Sequence, residues 1–427
     1  MNQKKIKSKM RTKSFKTAIF AAIVLVGIGT SCTDDNNDNP NIPTNTNVIK
    51  TGQITADETW TADKVYQLRG RVTVVNGATL TIQAGTVVKG EAGQDANASV
   101  LIIARGGKIN AQGTSTSPII FTSVADNIVS GQVASPNLNG SFSGLWGGVI
   151  VLGRAPISIQ NGTQAQIEGI PPTDTNGLYG GSNPTDNSGI LRYVSIRHGG
   201  TLIGNGNEIN GLTLGGVGSG TSIDHIEVLG NLDDGVEWFG GTVNVSDLLV
   251  WNTGDDAFDV DQAYTGTINN IIGIGGAAQD HALEIDGPEG SLTGGFTMTN
   301  GTFVGYNDQG TDGGEYGDFR DGAEGSLSNL FFKNFSDNSD LELDDDVSSN
   351  NYKAGTLMFG SAWQFDVSHL TSGNLTTDDI FADKSPAGDA FSDLSFSTIV
   401  TTPTVGADAS EFAGWTWGDV LGALDGL

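Results

Sequence analysis

Cysteine is all but missing from this chain. Cys32 is the only one in 427 residues. No disulfide can close within the chain, and a cysteine-ligated metal site is excluded. Histidine is scarce as well. The four present, His198, His225, His281 and His369, have no zinc-ligand spacing. His198, His225 and His369 read as turn or packing residues. Positive charge is thin. Seven of the 21 Lys and Arg precede Cys32, with none of the 49 acidic residues, so the part beyond Cys32 is formally at −35. Such a charge repels nucleic acid and anionic lipid, and it favours divalent cations or neutral and cationic ligands. Long apolar runs are lacking too. The run from Ala18 to Gly29 is shorter than the roughly twenty residues a membrane-spanning helix needs. Helical periodicity is rare throughout.

Glycine, by contrast, is abundant, at 62 residues, and short β-branched runs bounded by Gly and Asn recur. Ile223-Asp224-His225-Ile226, Val245-Ser246-Asp247-Leu248 and Ile268-Asn269-Asn270-Ile271 start 22 and 23 residues apart, and Leu327-Ser328-Asn329-Leu330 is a later member. Each places apolar residues around a polar pair, as a strand entering a tight turn does. A second series runs in phase: Asp234-Gly235-Val236-Glu237-Trp238, Asp256-Ala257-Phe258-Asp259-Val260 and His281-Ala282-Leu283-Glu284-Ile285. Asp318-Phe319-Arg320 and Asp340-Leu341-Glu342-Leu343 are looser members. Here apolar residues flank one charged residue at period two. The pattern predicts Val236, Trp238, Phe258, Val260, Leu283 and Ile285 inside, and Glu237, Asp259 and Glu284 outside. A coil of about 22 residues stacking on the coil before it is an all-β parallel β-helix, here of about a dozen coils. Propeller blades take about 40 residues and carry hairpin signals, which this chain lacks.

The predicted organisation is a signal segment over 1–31, an acidic and polar tether over 32–55, the β-helix over 56–400 and a cap over 401–427. The cap expectation rests on Trp415, Trp417, Val420, Leu421 and Leu424, which can form the amphipathic segment a solenoid end needs. Two excursions, Glu168 to Gly189 and Tyr306 to Gly325, interrupt the rhythm, as binding loops on a solenoid often do.

Chemistry concentrates on the charged column. Glu237, Asp259, Glu284 and Glu342 hold equivalent positions, with Arg320 interposed, and form the candidate ligand-binding face. Carboxylates on coils about 4.8 Å apart repel unless protonated, paired or metal-bound. A hard cation such as Ca²⁺ relieves that repulsion, and Asp256, Asp259, Asp261, Glu284 and Asp286 are its candidate ligands. A solvated acidic stripe is the other reading of the same residues.

Several resemblances add to this. Lys4 to Lys16, the apolar run and the small residues before Cys32 resemble a bacterial lipoprotein signal, with Gly29 where Leu is commonest. The acidic run Thr33 to Asp38 resembles that of surface-exposed lipoproteins of the Bacteroidota. This implies lipidation at Cys32, an outer-membrane, cell-surface location and no other membrane contact. Gly77 to Ile82, Gly85 to Gly90, Ala104 to Ile109, Pro118 to Ser123, Trp146 to Ile150 and Tyr193 to Gly200 resemble bacterial surface β-helix proteins. That group implies a right-handed helix and mostly has no assigned activity. Asn252 to Ala257 and Gln279-Asp280-His281 are similar to the Asp-Asp and His motifs of β-helical polygalacturonases, but the usual Gly-His-Gly is Asp280-His281-Ala282. This implies catalytic candidates Asp255, Asp256 and His281; in a lyase alternative Arg320 and His281 are the candidate bases. The expected role is non-catalytic binding of an extracellular glycan, another ligand, or a partner such as an outer-membrane uptake receptor. A polysaccharide hydrolase or lyase, and a structural adhesin, are the alternatives.

Overall fold

The structure is a computed structural model that describes residues 46–203, 208–308, 311–370 and 375–427; for residue 46, residue 96 and residues 307–313 only the backbone is described. The signal segment and Cys32 lie outside these residues. The chain winds into a parallel β-helix whose strands form one continuous parallel sheet. Its wall consists of three ladders.

One ladder climbs through residues 58–60, 79–82, 108–112 and 189–192 to the first halves of the strands Ser222–Leu229, Asn244–Trp251, Thr267–Ile274, Phe296–Val304 and Gly325–Lys333. The second halves of those strands belong to another ladder, which ends on Trp363–Asp366 and Ser397–Ile399. The corner between the two is a single residue in the left-handed region: His225, Asp247, Asn270, Asn300 and Asn329, with φ of 54°, 58°, 58°, 60° and 56°. Short polar side chains tolerate that region best, which is why the polar pair recurs in the sequence. The third ladder runs through Val149–Leu152, Leu212–Gly215, Val236–Phe239, Phe258–Asp261, Leu283–Asp286, Gly317–Arg320 and Leu341–Leu343.

Inward positions follow the period-two prediction. Val236, Trp238, Phe258, Val260, Leu283 and Ile285 are all buried in one core. Phe258 packs against Trp238 and Phe303, and an aromatic stack continues through Phe332, Phe365 and Phe381.

Two boundaries differ from expectation. The first strand, Thr46–Ile54, already pairs in parallel with Lys64–Val74, so the solenoid begins inside the segment expected as tether. The C-terminal segment is not an end cap. It runs back along the outside of the second ladder. Thr404 N–H donates to Gln364, Ala407 N–H to Thr302, Asp408 N–H to Asn270, and Gly418 N–H to Glu227. Phe412, Trp415 and Leu424 bury themselves on Leu249 and Ile272. Those two residues point away from the core, so a bare coil would expose them. Covering them explains the strap by the hydrophobic effect. Val420 and Leu421 stay about half-exposed.

Candidate functional site

The outward positions of the third ladder change character along the axis. The column reads Thr73, Ile102, Ile150, Thr213, Glu237, Asp259, Glu284, Asp318, Glu342 and Ala382. On the early coils it is uncharged, with two isoleucines between two threonines. There the first excursion covers it, folding the ribbon Ala165–Gln166 and Leu178–Tyr179 so that Ile167, Ile170 and Tyr179 bury Ile102, Ile150 and Phe239. On the later coils five acidic residues follow in register. Asp318, not Arg320, occupies the fourth place. Arg320 lies two residues on, opposite Asp286.

The column is not solvated. Glu237, Asp259 and Glu284 are 5%, 7% and 8% exposed, against the expectation that they face water, and Asp318 is 5% exposed. Pointing away from the core does not mean reaching solvent here. This removes the simple solvated stripe.

Different neutralising partners divide the column. Arg320 Nε donates to Asp286 Oδ1 at 2.7 Å, its guanidinium also donates to Glu284, and Asp318 Oδ2 lies 3.6 Å away. Burial opposes its charge, but Glu284 and Asp286 hold its pKa above the usual arginine value. His281 sits beside it. Its Nδ1 is 2.8 Å from Asp256 Oδ1 and 3.5 Å from Glu284 Oε2, and its backbone N–H donates to Asp256 at 2.7 Å. Burial disfavours the imidazolium, yet the bonds to Asp256 and Glu284 push its pKa up to about 12. Burial likewise opposes ionised Glu284, but His281, Asp256 and Arg320 bring its pKa down to about 2. At the end of the column Lys384 Nζ bridges Asp340 and Glu342, at 2.8 Å to each. Asp318 has a buried Oδ1 with no hydrogen-bond partner, and burial pushes its pKa up to about 7.

The candidates named from sequence are therefore only partly brought together. Asp256 and Glu284 converge on His281. Asp255 gathers instead with Asp233 and Asp234. Asp259 belongs with Asp234 and Glu237. Asp261 and Asp286 line a separate cavity of about 420 Å³ with Gln160, Glu289 and Asp321. The five expected cation ligands thus fall into three places. Residues two apart on a strand share a face but stand about 6.6 Å from each other. Asp256, moreover, precedes its strand and serves the turn. Sequence reasoning missed Asp318 as a column member and left Asp234, Lys384 and Asn210 out of the candidate sites. Asp318 and Asp234 left a signal, their places in the repeat.

A family model described as a pectate-lyase-like beta helix domain matches residues 52–418. The chain belongs to that family. Its members share the coiled architecture derived above, and the match runs from the first coils into the strap. Among solved structures, the chain is similar to the pectin methylesterase from Aspergillus niger, at 12% identity over 81% of this chain and 88% of that one, with a TM-score of 0.26. That likeness carries no argument about chemistry. None of the curated proteins matches the chain.

Proposed function

We propose that this pectate-lyase-like β-helix is a non-catalytic, cell-surface binding protein, lipid-anchored at Cys32 in the outer membrane. It takes an uncharged or cationic glycan, or another extracellular ligand or partner protein, on the flank of the third ladder. One observation carries the binding part: beside the buried column of five in-register carboxylates, Arg320, Glu315 and Lys384 reach the surface, with side chains 36%, 41% and 43% exposed. Carboxylates accept hydrogen bonds from sugar hydroxyls, and the guanidinium donates in a fixed fork. The net charge disfavours polyuronates.

The charge states of His281 and Arg320 count against catalysis by those two residues, while burial raises Asp255 to about 6 and Asp256 well above the carboxylate range and leaves both as acids for the hydrolase alternative. An imidazolium held between Asp256 and Glu284 is no general base near neutrality, and a permanently charged Arg320 gives up no proton. A hard cation of the Ca²⁺ class is part of the same proposal, on a set that keeps only Asp259 of the five residues first expected.

Two outcomes test this. The protein lacking residues 1–31 should retain neutral or aminated glycans on an array. Glu284→Gln with Arg320→Gln should weaken that retention about tenfold, or 1.4 kcal/mol. Reducing ends or unsaturated products released from polyuronates would replace binding by catalysis. For the anchor, Cys32→Ala should move the full chain from the membrane fraction to the soluble one. Retention after a carbonate wash would remove the lipoprotein reading.

A further inference from the structure

Three carboxylates of this flank have no counter-charge. Asp234, Glu237 and Asp259 present oxygens that all lie within 4.8 Å of one another, and they are 7%, 5% and 7% exposed. None of the three takes part in a salt bridge among the described residues. The charged groups that raise their pKa values from nearby are carboxylates: Asp233, Asp255, Asp256, Asp261, Glu168 and Glu284. Asp234 receives one backbone N–H, from Asp256 at 2.9 Å, and Glu237 receives the Asn210 amide. Asp259 Oδ1 is buried with no hydrogen-bond partner, and so is Asn210 Oδ1 on a side chain only 2% exposed. Buried polar atoms are almost always paired, so two orphans around one cluster mark a missing partner.

We infer that Asp234, Glu237, Asp259 and Asn210 form an enclosed site for one hard divalent cation, best matched to Ca²⁺. The donor set is all oxygen, which excludes soft metals. Three carboxylates and an amide oxygen can supply up to seven oxygens, within the six to eight that Ca²⁺ takes. The oxygens lie within 4.8 Å of one another, close enough to share one ion. Mg²⁺ usually keeps several waters and is held by one or two carboxylates, so an enclosed set of three carboxylates suits Ca²⁺. The ligands come from three consecutive coils, since Thr213, near Asn210, pairs with Glu237 and Glu237 with Asp259. The ion thus clamps the stack where the uncharged part of the column gives way to the acidic part. The site refines the calcium part of the proposed function, but it is structural and needs no glycan.

The test uses protein lacking residues 1–31, treated with chelator and kept in 0.15 M salt at pH 7.5, where diffuse attraction is screened beyond about 8 Å. One equivalent of Ca²⁺ should bind by calorimetry and raise the Tm, with Mg²⁺ at least tenfold weaker. Asp259→Asn should lose at least tenfold in Ca²⁺ affinity, while Asp286→Asn, in the open cavity, should keep it. If Asp259→Asn does not fold, metal content of the untreated wild type decides: close to one calcium per chain supports the site. No Ca²⁺-dependent rise in wild-type Tm overturns it, as does a rise lost in Asp286→Asn and kept in Asp259→Asn. Glycan retention is scored separately, so either idea can fail alone.

Discussion

Arg197→Met should destabilise the protein by about 3–5 kcal/mol, the usual result of removing one partner of a buried ion pair. The Arg197 and Glu227 side chains are both 0% exposed, with Nη2 and Oε2 3.4 Å apart. Arg197 also donates through Nε to Ser195 and through Nη1 to the Val133 carbonyl, and its guanidinium lies 5.0 Å from the Trp417 ring. Glu227 accepts from Ser195 and from the Gly418 N–H of the strap. Without the guanidinium, Glu227 stays desolvated and unpaired. The double change Arg197→Met with Glu227→Met should recover most of the loss, because it leaves no charge behind. Denaturant titration of the three variants gives the cycle. A double variant no better than Arg197→Met would mean that packing around the guanidinium, not its charge, holds the strap down. The site lies on the second ladder, so Ca²⁺ binding should survive in any folded variant.

The second large effect is a pH dependence centred on Asp318. Burial raises its pKa from 3.8 to about 7, and Arg320 only partly opposes this. The folded state therefore favours the protonated acid. The resulting stability is fully present below about pH 4 and is lost as pH rises through about 7. A rise from 3.8 to about 7 corresponds to on the order of 4 kcal/mol. Asp318→Asn imitates the neutral form. It should match the wild type near pH 4 and exceed it by up to that amount at pH 8. Urea titrations from pH 4 to 8 in chelator would show the two curves diverging. Parallel curves would mean that Arg320 turns to Asp318 and neutralises it. Glu284→Gln should behave in the opposite way. It removes a carboxylate held ionised down to about pH 2, and so should destabilise at neutral pH.

Much of this protein was legible without coordinates. Residues 236, 238, 258, 260, 283 and 285 alternate with charged ones at period two, and only an inward face explains that. The near-constant 22-residue phase then requires each coil to lie on the one before. The register Glu237–Asp259–Glu284 follows directly, and the pairing is as predicted. The polar corner pair was legible because one left-handed residue per coil favours Asn, Asp or His.

What lies outside the coil was not legible. Thr46–Ile54 reads as a polar tether because its strand is edge-like and largely exposed. The strap reads as a cap because amphipathicity shows that a segment covers something, not what it covers. Nothing in residues 401–427 points to Leu249 and Ile272, more than a hundred residues earlier.

The sequence by itself determined the coil, its phase and the residues that share a column, since these depend on local periodicity and on the fixed spacing of stacked strands. Only the tertiary structure decided which carboxylates meet. Arg320, His281 and Lys384 reach the column from turns and neighbouring coils, and Asp259 is buried among carboxylates that the coil stack brings together. Side-chain convergence and desolvation are three-dimensional quantities, and a one-dimensional repeat carries neither.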